Sequence, residues 1–230
     1  MTRWLERRLI LDRVLAVPLL VATAPFVVFA GVVLAGSGIG WPIVRVDRIG
    51  RHGVAFRMLK LRTMRDPAGS AVAAPSDSRT SSVGRLVRAS HVDELPQLFH
   101  VVAGTMSLLG PRPEAPEFVD RTDESWASIL SVPPGLAGVT QFLLARFEHE
   151  VLNDAVRNGL GGEALNDVYR HHVLPEKVAV DAWYTKNASP RVDLVTILSI
   201  LAGLLGRRDT PNSRRLRRWA GVDLQEVLRS

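Results

Sequence analysis

Between Val14 and Val44 the chain carries no charged side chain, and Val, Leu, Ala and Phe dominate as far as Leu34. A bilayer core asks for about 20 apolar residues in a helix, so this run is long enough to cross one. Pro18 and Pro25 interrupt it. Each removes a backbone donor and crowds the preceding turn, so a bend is the natural consequence. Basic residues stand on both sides: Arg3, Arg7, Arg8 and Arg13 before, and Arg45, Arg48, Arg51, Arg57, Lys60, Arg62 and Arg65 after. Basic flanks tend to stay cytoplasmic, and a single crossing would export one of them. Three readings compete: a spanning helix, a cleaved leader ending near Ala35-Gly36-Ser37, and a re-entrant helix that returns to the face it entered. The run exceeds the apolar core of a leader. The charges favour re-entry, yet prolines also occur in straight-through helices, so crossing stays open.

Beyond this segment the period changes. Apolar and polar positions alternate through Ile43-Val44-Arg45-Val46 and Phe56-Arg57-Met58-Leu59-Lys60, with Gly50 and Gly53 between them. That pattern predicts a β-hairpin within Gly40–Met64. Asp66–Ser81, rich in Ala, Ser, Pro and Asp, reads as a flexible loop. Val83–Val87 begins a short helix. Leu95, Leu98, Val101 and Val102 give Asp93–Ala103 helical spacing, ended by Gly104. Leu108–Pro116 is irregular, Glu117–Leu130 reads as a helix, Pro133-Pro134-Gly135 as a turn and Gly138–Leu143 as a short strand. Glu163–Tyr184 is helical on both sides of Pro175. Leu194–Leu205 is apolar but too short to span, which suits a core or interfacial helix. The basic tail reads as a surface helix. No internal repeat is visible.

The 230 residues suit one domain with appendages, and a hydrophobic content of 47% excludes general disorder. The formal charge of +6 points to an anionic partner: nucleic acid, an acidic membrane surface or phosphorylated small molecules. Cysteine is absent, which excludes disulfides, thiolate metal sites and a cysteine nucleophile.

The chemistry concentrates between Arg85 and Glu114. This stretch holds Arg85, Arg88, Asp93-Glu94-Leu95-Pro96-Gln97 and Met106-Ser107-Leu108-Leu109-Gly110-Pro111-Arg112-Pro113-Glu114. Adjacent carboxylates can hold a hard ion such as Mg²⁺, with substrate phosphate completing its shell. An aspartate can also attack phosphorus and carry the group as an acyl phosphate. Lys60, Arg62, Arg88 and Arg112 offer charge to offset a diphosphate. The plain alternative makes Asp93 an N-cap with Glu94 in the first helical turn. The two are compatible, since such a turn also favours anions. The plain alternatives for Pro111-Arg112-Pro113 and for Lys60 and Arg62 are a rigid loop and a solvated strand face. His91 and His100 read as local packing or hydrogen-bonding residues, because no third metal-type partner has a suitable spacing.

Taken in order, these segments resemble the bacterial sugar transferases, the monotopic phosphoglycosyl transferases. The resemblance rests on Gly50 to Phe56 followed by Lys60-Leu61-Arg62-Thr63-Met64, on Asp93 to Leu98, on Met106 to Pro113, on Pro134-Gly135-Leu136-Ala137-Gly138, and on Leu174 to Lys177 with Asp181 to Tyr184. It runs from about Arg8 to Gly206.

The resemblance implies an α+β fold: a re-entrant membrane helix over residues 1–40, bent at Ala24-Pro25, packed on a mostly helical catalytic domain over 41–206. That domain has a short β-hairpin and interfacial helices, and a basic tail covers 207–230. It also implies transfer of a sugar-1-phosphate from a UDP-sugar to polyprenyl phosphate, typically undecaprenyl phosphate, with release of UMP. Asp93 would be the nucleophile, Glu94 would bind Mg²⁺ beside it, and Lys60, Arg62, Arg88, Gln97, Pro111, Arg112 and Pro113 would form the substrate site. The expected partners are a nucleotide sugar, a polyprenyl phosphate and membrane lipids, with no nucleic acid and with oligomeric state open. The expected location is the cytoplasmic face of a bacterial inner membrane.

The chain departs from the family pattern at several points. Ala24 stands where serine commonly precedes the proline, so a hydroxyl that could serve a freed backbone group is missing there. His91 replaces serine, His100 asparagine, Thr105 aspartate and Pro133 lysine. Two rivals remain at this stage: a membrane-anchored nucleic-acid binder, drawing on the arginines around Arg214–Arg218, and a silent scaffold. Trp219 is the only aromatic in that tail, and no nucleic-acid motif accompanies it.

Overall fold

The computed structural model describes residues 3–38, 40–65, 72, 79–207 and 209–222. The expected loop at Asp66–Ser81 therefore lies mostly outside the described residues, as does the end of the tail. The two ends of that loop are pinned together, because Met64 and Thr80 form a bridge and the Arg65 amide donates to Arg79 O at 3.1 Å.

The apolar run forms one helix, α1 (Arg3–Gly36), which continues through Pro18 and Pro25. It is the one described helix long and apolar enough to cross a membrane. Ala24 offers no hydroxyl, but Thr23 one position earlier does, and its Oγ1 donates to Leu19 O at 2.7 Å. Three regions of α1 pack on the rest of the chain. Leu5 joins Val132, Leu144 and Tyr184. Ala16 joins Met58, Leu98, Val101 and Met106. Ala30 and Leu34 join Leu61 and Val87. From Val14 onward much of its remaining surface, including Val14, Val21, Phe26 and Phe29, is exposed and apolar.

The predicted hairpin is present. Strand β1 (Ile43–Ile49) pairs antiparallel with β2 (Ala55–Leu61), in a register that sets Ile43 against Leu61 and Ile49 against Ala55. Its tip is a 3₁₀ turn at Arg51–Gly53, where His52 and Gly53 both take positive φ. Helix α2 (Ser82–Ala89) begins where Ser81 Oγ accepts from the Gly84 amide, a local N-cap.

The segment expected as one helix from Asp93 is divided. A 3₁₀ helix covers Val92–Gln97, and α3 (Leu98–Ala103) follows, closed by Gly104 at φ 81°. The residue before the 3₁₀ helix is His91, in the left-handed region and without a side-chain cap. Asp93 is thus not an N-cap. Pro96 lies inside this 3₁₀ helix and contributes no amide to its ladder.

Three further expectations are corrected. Glu117–Leu130 is not one helix: a 3₁₀ turn covers Pro116–Phe118 and α4 runs only over Glu124–Ile129. Asp120 accepts from the Thr122 amide and Asp123 from those of Ser125 and Trp126, so side chains hold a turn and then start the helix afresh. Leu108–Pro116 is not wholly irregular, because β3 (Ser107–Leu109) pairs parallel with β4 (Gly135–Ala137). Gly138–Leu143 is not a strand, since Val139–Leu143 forms α5. The ladder forms earlier because Gly110 and Gly135 let two backbones meet: a Cβ on Gly135 would collide with the Gly110 backbone.

Helices α6 (Ala145–Arg157), which the pattern did not announce, and α7 (Glu163–Val168) follow. A π-turn at Tyr169–Val173 leads into α8 (Leu174–Asn187). Then come α9 (Pro190–Leu204) and α10 (Pro211–Ala220), the expected tail helix. The largest core gathers Phe118, Trp126, Phe147, Leu152, Tyr169 and Val173. The fold is thus a mixed, mainly helical one with two short two-stranded sheets among the described residues and a long apolar helix at its start.

Candidate active site

The β-hairpin and the 3₁₀ helix bring four charged groups together. Lys60 is on β2, whose side chains alternate, and it points to the 3₁₀ helix. Its Nζ lies 3.1 Å from Asp93 Oδ2 and 3.2 Å from Glu94 Oε1. Arg112 arrives from the loop after β3 and places NH2 2.8 Å from the same Glu94 oxygen. Asp93 is 2% exposed. Two neighbouring carboxylates would repel at this depth, and one ammonium bridging both removes that cost. Burial alone would push the Glu94 carboxyl upward. Arg112 and Lys60 outweigh it and hold the group far below the usual carboxylate range. Glu94 in turn raises Arg112 above its already high value, against the effect of burial.

The loop that carries Arg112 is held from behind. Pro111 O accepts from the Gly135 amide at 2.8 Å, and Pro111 and Pro113 are buried. Asp181 on α8 accepts from the Arg112 backbone amide and from the Thr140 hydroxyl. Glu114 Oε1 meets Lys177 Nζ at 2.8 Å and accepts from the Tyr169 hydroxyl at 2.8 Å. Lys177 also reaches Glu148 at 3.6 Å. These burials leave marks on the titrating groups. Burial pushes Asp181 up to about 7, against the two hydrogen bonds and Lys177. Burial would raise Glu114, but Lys177 brings it below its usual value. Burial lowers Arg48, and Glu114 offsets part of that.

A second buried network ties α1 to the same loop. Arg8 donates from NH1 to Asp193 Oδ2 at 2.5 Å and to the Tyr184 hydroxyl at 2.6 Å, and from NH2 to Leu109 O at 2.5 Å. The Leu108 amide donates to Asp12 Oδ2 at 3.2 Å. Arg8, read from the sequence as part of a basic flank, is therefore a core residue.

Of the residues singled out in the sequence, Asp93, Glu94, Lys60 and Arg112 converge. Gln97 lies one turn beyond Asp93, 1% exposed, and its Nε2 finds no partner among the described residues. Arg88 donates to Thr63 Oγ1 at 2.8 Å, and Arg62 donates to Trp41 O at 3.0 Å at the foot of the hairpin. His100 accepts the Leu59 amide on Nε2 at 3.1 Å, and burial lowers its basicity, so it serves as a hydrogen-bonding residue. Reasoning from the sequence missed Glu114, Thr140, Lys177 and Asp181 as parts of the site. A signal was present for two of them: Lys177 and Asp181 recur with Thr185 at four-residue spacing, a polar stripe along one face of α8.

No group of three His, Cys, Asp or Glu side chains gathers among the described residues. A cation here would draw on the two hard carboxylates of Asp93 and Glu94, with phosphate and water supplying the rest. That donor set suits Mg²⁺, which keeps waters and needs few protein ligands.

The chain matches the family model described as bacterial sugar transferase over residues 2–207. It is similar to the UDP-glucose:undecaprenyl-phosphate glucose-1-phosphate transferase of Caulobacter vibrioides, with 33% identity over 205 residues covering 86% of this chain and 70% of the relative. The UDP-N-acetylgalactosamine-undecaprenyl-phosphate N-acetylgalactosaminephosphotransferase of Aeromonas hydrophila is 31% identical, across 86% of this chain and 44% of its own length. The undecaprenyl-phosphate galactose phosphotransferase of Salmonella typhimurium is 29% identical, across 90% of this chain and 42% of its own. The chain thus spans less than half the length of the latter two.

Proposed function

Because the chain belongs to the bacterial sugar transferase family, we propose that it moves a sugar-1-phosphate from a UDP-sugar to undecaprenyl phosphate and releases UMP. The observation that carries this reading is the buried Asp93–Glu94 pair bridged by Lys60 and clamped by Arg112, set beside a long apolar helix. A carboxylate oxygen of Asp93 attacks the phosphorus next to the sugar. The bond from that phosphorus to the bridging oxygen breaks, and UMP leaves with the electron pair. An acyl phosphate then joins Asp93 to the sugar-1-phosphate. A phosphate oxygen of the polyprenyl acceptor attacks the same phosphorus and frees the Asp93 carboxylate. The product is a polyprenyl diphosphate sugar.

The cations fit these roles. Arg112, and Lys60 beside both carboxylates, can offset charge on the diphosphate oxygens. Glu94, kept ionised by Arg112 and Lys60, orients the acceptor phosphate. Mg²⁺, held by Asp93 and Glu94, would offset further diphosphate charge when bound. The unpartnered Gln97 amide offers a donor to an oxygen placed between it and Asp93.

We read α1 as re-entrant, with a bend at Ala24-Pro25 and the catalytic pair on the cytoplasmic face, from the basic residues on both of its flanks. Leu5 near one end packs with Val132 and Tyr184, and Leu34 near the other packs with Leu61 and Val87, so both ends touch residues of the 41–206 domain. A helix of this length reaches about 50 Å, well over the roughly 30 Å apolar core. A straight crossing would carry one end away from the domain that both ends touch.

The test incubates purified protein with Mg²⁺, undecaprenyl phosphate and a panel of UDP-hexoses and UDP-N-acetylhexosamines. UMP is expected from at least one donor, with a phosphosugar adduct on Asp93 by mass spectrometry. Asp93→Asn should retain its thermal midpoint and lose about 10³-fold or more in rate. Release of UDP, or turnover by Asp93→Asn at the wild-type rate, overturns the mechanism.

A further inference from the structure

Arg48, in the sequence one of the basic residues after the apolar run, takes a different place in the fold. Side chains alternate along a strand. Strands β1 and β2 pair in regular register, so Val44, Val46 and Arg48 share one face with Lys60, Met58 and Phe56 opposite them. That face is the inward one, because Met58 is buried and Lys60 reaches Asp93 and Glu94. Lys60 stands opposite Val44, and Arg48 lies further along β1 from that residue by about 13 Å of strand rise.

The Ile49 amide donates to Glu114 O at 3.0 Å, which docks this end of β1 on the loop that carries Arg112. Arg48 is thereby set beside Glu114 and Arg112. It is half-buried. Burial lowers its basicity, Glu114 offsets part of that, and the like charge of Arg112 lowers it again. The buried carboxylates nearby are already taken. Glu94 meets Arg112 and Lys60, and Glu114 meets Lys177 and the Tyr169 hydroxyl. Glu117, also close, is exposed and forms no ion pair with Arg48. Among the described residues Arg48 has no ion pair, and its side-chain hydrogen bond runs from NH1 to Asp47 O, next to it in the chain, at 3.1 Å.

Two guanidiniums brought together in a partly desolvated space repel, and an anion between them reverses that. Phosphate matches them, because the planar guanidinium fork donates to two of its oxygens at once. The proposed transfer supplies such a group. One donor phosphorus bonds to Asp93 as its bond to the bridging oxygen breaks. The electron pair stays on that oxygen, so the departing nucleotide phosphate gains one negative charge. Asp93 and Lys60 define the first position, and Arg48 stands away from them along the same face, beside Arg112.

We propose that Arg48 is a donor-binding residue, which brackets with Arg112 the nucleotide phosphate that leaves as UMP. This rests on the proposed transfer from a UDP-sugar, and it gives that donor's second phosphate its own cation.

The test compares the full chain with Arg48→Gln in detergent with Mg²⁺. Affinities for UMP and for uridine are read separately by ligand-observed NMR titration, which needs no turnover. Arg48→Gln should bind UMP about tenfold more weakly, the loss of a hydrogen bond to a charged group. Its affinity for uridine should stay that of the parent. Arg48→Lys keeps the charge and loses the fork, so its UMP affinity should fall between the two. Unchanged UMP affinity in Arg48→Gln overturns the assignment, and so does an equal loss for UMP and uridine, which marks a structural role. If Arg48→Gln lacks a folding transition, the same titrations on Arg48→Lys decide, and UMP affinity equal to the parent's overturns the assignment. A parent that releases UMP from a UDP-sugar while Arg48→Gln binds UMP equally well removes Arg48 alone. A parent that neither binds nor releases UMP removes the donor reading and this inference together.

Discussion

At the scale of single residues, the site depends on side chains whose charge is set by depth. Asp181 is the clearest case. It holds the backbone of the loop that presents Arg112, yet burial pushes its carboxyl up to about 7 from an ordinary 3.8, against Thr140 and Lys177. A raised carboxyl favours the folded state while protonated, so its contribution is fully present below about pH 4. It is lost as pH rises through about 7. Asp181→Asn keeps an acceptor for Thr140 and the Arg112 amide and carries no charge to bury. Its thermal midpoint, scanned from pH 5 to 8, should fall less than that of the parent. Parallel curves for the two proteins would show that Asp181 titrates as an exposed aspartate does. In the sequence the same carboxylate stood only in a helical stretch, Asp181 to Tyr184, that carries the family resemblance, with no role in the site. Nothing in the order of residues says that Thr140, 41 positions earlier, would donate to it.

At the scale of elements, α1 decides how the protein meets its membrane. Its prolines and basic flanks were visible in the sequence and left crossing and re-entry both open. In the folded chain α1 packs at three separate places along its length, Leu5, Ala16 and Leu34 each joining a different cluster of core residues. Single cysteines before residue 10 and after residue 45, labelled with an impermeant maleimide in sealed inverted vesicles, should react from the same side. Labelling from opposite sides would establish a crossing. The short elements were less legible. The hairpin was readable because alternation is local, whereas β3 and β4 are three residues each and exist through a partner distant in sequence. Val139 and Thr140, β-branched and strand-like by themselves, are buried in the helix α5 that follows that ladder.

At the scale of the whole molecule, α1 and the loop that carries Arg112 are joined through one buried network. Arg8 joins Asp193 and Tyr184 on one side and Leu109 O on the other, and Leu109 is three residues before Arg112. Removing one partner of a buried pair leaves the other charge uncompensated, at a cost of about 3–5 kcal/mol. Arg8→Met should therefore lower the thermal midpoint in detergent strongly. Arg8→Met/Asp193→Leu should recover part of the loss, which measures the coupling. Full additivity of the two substitutions would mean that Arg8 acts elsewhere.

The sequence by itself determined the long apolar helix, the hairpin, the adjacent carboxylates and the family pattern, because each is written in neighbouring residues or in a short period. Tertiary structure alone decided which cations reach those carboxylates. Lys60 and Arg112 meet Glu94, Arg62 turns to Trp41, and Arg8 leaves the basic flank for the core. Ion pairing depends on distance and dielectric, and both are properties of the packed chain rather than of residue order.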